Sequence, residues 1–174
     1  MAEYIIPECY VDTNLIETLL NEGCNHQKGC NQVAGVMKGK FADRFAVGII
    51  DGDKRRPGYL DEFDELGSTA HLKAYRHRGR AHYIIVINPA IEKLIIDSAE
   101  AAEVSLEDYD LAPDLEGLKK QTKRVMSNRD DRFKRLFMVL KEGGDMMRLR
   151  DLLGYLREHR YESGEEIVKE ILRR

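Results

Sequence analysis

An apolar run starting at Phe45 ends in Asp51-Gly52-Asp53, and Lys54, Arg55 and Arg56 follow at once. Carboxylates one residue apart leave a single turn together and form a donor set for a hard divalent cation. Mg²⁺ in particular takes a few carboxylates and completes its shell with water and substrate phosphate. Cations directly beside such an ion would hold a phosphate and offset charge during phosphoryl transfer. Glu8 and Asp12, at the end of the first apolar segment, are acids that could join the same ion. The candidate metal ligands are therefore Glu8, Asp12, Asp51 and Asp53, and the candidate catalytic residues are Glu8, Asp51, Asp53 and Lys54. An Asp-Gly pair also forms wherever a strand simply turns out of a core. The position of these residues in the fold decides between the two.

A second cationic group lies in "YRHRGRAHY", which carries Arg76, His77, Arg78, Arg80 and His82 between Tyr75 and Tyr83. The tyrosines could stack on bases, as in single-strand binders. A charged hairpin tip that protects sheet edges would read the same way. The phosphate-binding candidates are Lys28, Arg55, Arg56, Arg76 and Arg78. Lys119, Lys120, Lys123 and Arg124 could also track a phosphate backbone, although a solvated helix face accounts for them equally. Cys24, His26 and Cys30 miss the Cys-x₂₋₄-Cys spacing of structural zinc sites and are expected to be free.

The elements that must position these residues follow from patterning. "EYIIPECYV" reads as a first strand in which Pro7 marks an edge or a bulge. Asp12-Thr13-Asn14 supplies N-cap residues for "LIETLL", a helix stopped by Gly23. "NQVAGVMKGKFAD" has helical spacing, and "RFAVGIID" is a continuous apolar run of the kind buried on both faces. "PGYLDEFDEL" reads as a short helix, "HLKAYRHR" and "AHYIIVIN" as strands joined around Gly79, and "AIEKLIIDSAEAAE" as a helix opened by Pro89. Beyond residue 113 the pattern is helical, with Phe133, Phe137, Leu152 and Leu156 expected in a packed hairpin and Met138, Met146 and Met147 filling gaps there.

This alternation predicts an α/β fold with a largely parallel central sheet flanked by helices over residues 1–112, and a helical extension over 113–174 packed on it. In such sheets ligands bind beyond the carboxyl ends of the strands, which is where Asp51 and Asp53 fall. The 174 residues carry a formal net charge of −3, which supplies no global attraction to nucleic acid or membrane. Residues 113–174 hold 16 Lys/Arg against 12 Asp/Glu and the preceding part is acidic, as a metal-binding front and a phosphate-facing back would be. No apolar run approaches the ~20 residues that span a bilayer. The odd cysteine count and the absence of a secretory pattern at the N-terminus predict a reducing, cytoplasmic setting.

The order of motifs resembles a TOPRIM domain, the metal-binding α/β module of topoisomerases, primases and OLD-type nucleases. Glu8 with Asp12 corresponds to that family's first acidic motif, "QKGC" around Gly29 to its middle turn, and "IIDGD" to its Asp-x-Asp pair. "INPAIEKLII", with Glu92 after Pro89, is similar to a Pro-x-x-Glu segment of OLD-like and defence-associated members. The resemblance covers residues 4–97 and implies Mg²⁺ or Mn²⁺ and a nuclease acting on nucleic acid, in a mobile-element or defence setting. A weaker resemblance, "CYVDTNLIETLL", is to PIN-domain ribonucleases, with Asp12 as first ligand and Glu17 nearby.

A different class remains open, a non-catalytic α/β binding module or partner subunit, because Cys9 stands where the TOPRIM family has glycine. The chain contains no Gly-x₄-Gly-Lys-Ser/Thr loop, so an ATPase would be a separate subunit. DNA or RNA, and self-association, are equally open.

Overall fold

The computed structural model describes all residues except Lys54. Five strands, β1 (Ile5–Pro7), β2 (Ala46–Asp51), β3 (Phe63–Ser68), β4 (Leu72–His77) and β5 (His82–Ile87), form one sheet in the order β1-β2-β5-β4-β3. Strands β1, β2 and β5 run parallel, whereas β4 and β3 pair antiparallel. The sheet is thus mixed: the largely parallel arrangement expected from the pattern holds for its β1-β2-β5 side. Pro7 sits on the edge strand β1, where its missing N–H breaks no ladder.

All six residues of both β2 and β5 are buried. Their alternate side chains feed two cores. Val47, Ile49, Ile85 and Ile87 face a cluster that continues through Val11, Leu15, Leu94, Phe133, Leu149 and Leu172. Ile50, Ile84 and Val86 face the opposite way, onto Val33, Met37, Phe41, Tyr59 and Leu60. Helix α2 (Cys30–Lys38) covers this second face, and its close approach explains Gly48. A Cβ there would lie 2.9 Å from both Met37 Sδ and Val33 Cγ1.

The first face carries α1 (Tyr10–Leu20), α3 (Ile91–Ala101), α5 (Asp131–Leu140), α6 (Gly144–His159) and α7 (Glu165–Arg173). A further helix, α4 (Leu115–Thr122), packs on α3. Phe133, Phe137, Leu152 and Leu156 are buried as expected, and so is Met146. Met138 instead points outward, 48% exposed, because the apolar face of α5 is carried by Phe133, Leu136, Phe137 and Leu140.

Two local expectations are corrected. "PGYLDEFDEL" does not continue as a helix; a single 3-10 turn over Gly58–Glu62 buries Tyr59 and Leu60, and Phe63 then starts β3. Helix α1 begins earlier than its polar residues suggest. Cys9 is its N-cap and accepts the Asp12 N–H on Sγ. Thr13 and Asn14 are thereby released for tertiary bonds, and Asn14 Nδ2 donates to the Ser127 and Asp130 carbonyls at 2.8 and 3.0 Å. Asn21, in the left-handed region at φ 51°, ends the helix two residues before Gly23.

Histidines held partly or wholly out of water set an acid limit on this fold. Burial pulls His26, His77 and His82 below the usual imidazole value, and His82 is further locked between Tyr59 Oη at 2.6 Å and the Phe41 carbonyl at 2.8 Å. The unfolded chain therefore takes up these protons first. Their stabilisation is intact above about pH 6.5 and is lost as the pH falls below it. Asp130 is held below the usual carboxylate range by Arg132. At Asp97 and Asp145 burial opposes ionisation, but hydrogen bonds outweigh it, from Lys93 and His71 at Asp97 and from Thr69, His71 and Arg148 at Asp145. All three protect the fold above about pH 4 and fail as the pH falls through their lowered values. Thermal melts across this range are expected to show Tm declining first near pH 6.5 and again below pH 4; a Tm flat from pH 7 to 5 would contradict it.

Candidate metal centre

Parallel pairing of β1 and β2 brings Glu8 and Asp51 to one end of the sheet. Pro7 pairs with Ile49, the Glu8 N–H donates to the Ile49 carbonyl, and Glu8 Oε2 accepts the Asp51 N–H at 3.0 Å. Glu8 is almost wholly buried. The Asp51 side chain lies on the same face as Val47 and Ile49, and its Oδ1 accepts the Ile91 N–H at 3.3 Å at the start of α3. Asp12, fully buried, sits in the first turn of α1, where a carboxylate also suits the helix dipole.

Ligand atoms of Cys9, Asp12 and Asp51 lie within 4.8 Å of one another. No coordinated cluster forms from Cys24, His26 and Cys30 among the described residues. Cys24 Sγ is 3.8 Å from Glu17 Oε1, and Cys30 Sγ contacts the Arg55 carbonyl. The Cys9 thiol is pushed well above its ordinary value by burial first, then by the charges of Asp12 and Asp51. It therefore stays a neutral thiol beside the two carboxylates at neutral pH.

Cys9 and Asp51 of this cluster line a cleft of about 250 Å³, together with Asp53. Its lining also includes Glu92 of α3, Lys119 and Thr122 of α4, and Lys123 at the cap of α4. Glu92 is buried and accepts the Thr122 hydroxyl, which pins α4 against α3. Patterning alone missed Cys9 and Thr122. Lys119 and Lys123 were visible only as one of several charged helix faces.

The structure separates the other sequence candidates. Asp53 is exposed at the cleft, and Lys28 lies over the Tyr10 ring, 6.0 Å from its centroid and close to the cleft wall that Tyr10 forms. Lys54 lies outside the described residues. Arg55 and Arg56 are exposed, and Arg56 reaches Asp61 at 3.8 Å. Arg76 and Arg78 do not join the carboxylates. β4 runs antiparallel to β5, so Leu72 pairs with Ile87 near Asp51 while Arg76 pairs with Tyr83, about 13 Å further along the strand. There Arg76 stacks on Tyr83, and Arg78 bonds Asp64 and the Asp61 and Phe63 carbonyls. Tyr83 is buried, so it cannot stack on a base. Glu17, the partner suggested by the PIN-like segment, is engaged by Cys24 through its N–H and thiol.

Comparisons of the chain with protein-family models, with curated proteins and with solved structures find no match. No helix among the described residues is long and apolar enough to cross a membrane.

Gly52 holds the acidic turn close to the sheet. A Cβ at this position would come within 2.8 Å of Asn88 Oδ1 and 3.3 Å of Asn88 Cα. The second of these is backbone and cannot swing away. Gly52→Ala is expected to cost about 1–3 kcal/mol, read as a lower midpoint in urea with an unchanged slope. An unchanged midpoint would show that the turn has room the geometry denies it.

Proposed function

We propose that this chain is a TOPRIM-like, divalent-metal-dependent phosphodiesterase that acts on nucleic acid. The observation that carries the reading is the convergence of Asp12, in the first turn of α1, with Asp51, at the carboxyl end of β2, beside a cleft that Asp51, Asp53, Lys119 and Lys123 line. That is where an α/β sheet binds its ligand. The two carboxylates are hard oxygen donors of the kind that Mg²⁺ and Mn²⁺ take.

Asp12 and Asp51 would hold the cation, with Asp53 at the open side. Glu8 acts through Asp51, holding its backbone N–H and so the direction of its carboxylate. The Ile91 N–H fixes one Asp51 oxygen at the start of α3. A bound cation supplies two effects, lowering the pKa of its water and neutralising phosphate oxygens. Lys54, adjacent in sequence to Asp53, is proposed as a phosphate contact.

The test is cleavage of end-labelled DNA and RNA strands in Mn²⁺, in Mg²⁺ and in EDTA. Products that appear with either metal and vanish in EDTA support the reading. Metal uptake with no cleavage of either polymer would replace it with the non-catalytic binding module.

A further inference from the structure

Lys119, Thr122 and Lys123 occupy positions i, i+3 and i+4 of α4 and its cap, so they share one helix face. All three line the cleft. Thr122 is its anchor: its hydroxyl bonds Glu92 and the Lys119 carbonyl, and Ser127 Oγ donates to the Thr122 carbonyl. The lysines flank this anchor, Lys119 half-buried and Lys123 exposed. Among the described residues neither ammonium forms an ion pair, although Asp51, Asp53 and Glu92 line the same cleft. Lysine at a helix C-terminus is ordinarily explained by the dipole, and Lys120 on the same turn fits that account. Lys119 and Lys123 differ from it in lining a cleft that also holds carboxylates while, among the described residues, forming no ion pair with them.

We infer that Lys119 and Lys123 are the phosphate-binding groups of this site, supplied by the helical extension and taking the role that patterning assigned to Arg76 and Arg78. The inference rests on the proposed metal centre. A cleft lined by both carboxylates and lysines suits a ligand that is anionic and metal-bridged. A phosphodiester beside a divalent cation has that character, with one oxygen toward the ion and the remaining charge toward the ammonium groups. The sheet and the extension then each contribute half of the site, and neither would bind the strand alone.

The experiment compares the wild type with Lys119→Ala/Lys123→Ala and with Lys120→Ala. Mn²⁺ uptake is measured by calorimetry, and binding of a short fluorescent single strand in Ca²⁺ by anisotropy at several salt concentrations. Alanine preserves the helix, and both sites are off the core. The double variant is expected to bind Mn²⁺ as well as the wild type or better, to bind the strand about 10-fold more weakly, and to show a log–log salt slope shallower by about 0.7 per lysine. Lys120→Ala is expected to match the wild type. A double variant that binds the strand with wild-type affinity and slope would overturn the inference, as would a wild type that takes up Mn²⁺ and no strand. A wild type that takes up no Mn²⁺ would instead overturn the metal centre on which it rests.

Discussion

Asp51→Asn is expected to reduce metal-dependent cleavage by about 10³-fold or more, because a metal centre contributes several kcal/mol to the reaction and each 1.36 kcal/mol is a factor of ten. The substitution removes a charge and keeps an oxygen. Asn Oδ1 can still accept the Ile91 N–H that Asp51 accepts at 3.3 Å, and the backbone N–H still reaches Glu8 Oε2. Tm without metal should therefore stay close to that of the wild type. Glu8→Gln, which retains the acceptor for the Asp51 N–H, should be the milder lesion, in the range of about 10–100-fold typical of residues that orient a ligand. Equal losses in the two variants would place Glu8 on the metal itself. Full activity in Asp51→Asn would remove Asp51 from the mechanism.

The second large effect is on stability. Phe137→Ala is expected to cost about 3–5 kcal/mol, the usual toll of removing a buried aromatic ring, against a total of about 5–15 kcal/mol for an ordinary domain. Phe137 is fully buried and stacks on Phe133 with centroids 6.0 Å apart. The cluster they belong to runs without a break from Ile5 and Val47 of the sheet to Leu172 near the C-terminus. Loss of the ring should therefore lower the melting of sheet and helices together, in one transition that far-ultraviolet dichroism and tyrosine fluorescence report alike. A variant in which the extension melts first, while Mn²⁺ uptake by the sheet persists, would show that the two parts fold independently.

Much of the scaffold was legible in the sequence, for physical reasons that can be named. The continuous apolar runs of β2 and β5 could only be strands covered on both faces, and Pro89 announced α3 by its place before an amphipathic stretch. Asp51 was readable as a candidate because it ends the most buried run. Other features depended on tertiary pairing. Tyr59, Leu60 and Phe63 have helix-like spacing, yet they are a 3-10 turn followed by the first residue of a strand. Arg76 and Arg78 read as phosphate-binding candidates second to the cations after Asp53, and the antiparallel β4–β5 pairing places them away from the carboxylates.

Cys9 entered the cluster because α1 starts at Tyr10 and draws the cap inward, which the polar residues at 12–14 concealed. Lys119 and Lys123 carry no local signal that separates them from Lys120. Only the packing of α4 on α3, fixed by the Thr122–Glu92 bond, turns them to the cleft.

Whether Asp12 and Asp51 form a cation site is decided by calorimetric titration of Mn²⁺ into the wild type and into Asp12→Asn/Asp51→Asn. One saturable site in the wild type, weakened more than about 100-fold in the double variant, is the predicted result. The same heat in both proteins, or none in the wild type, would contradict it.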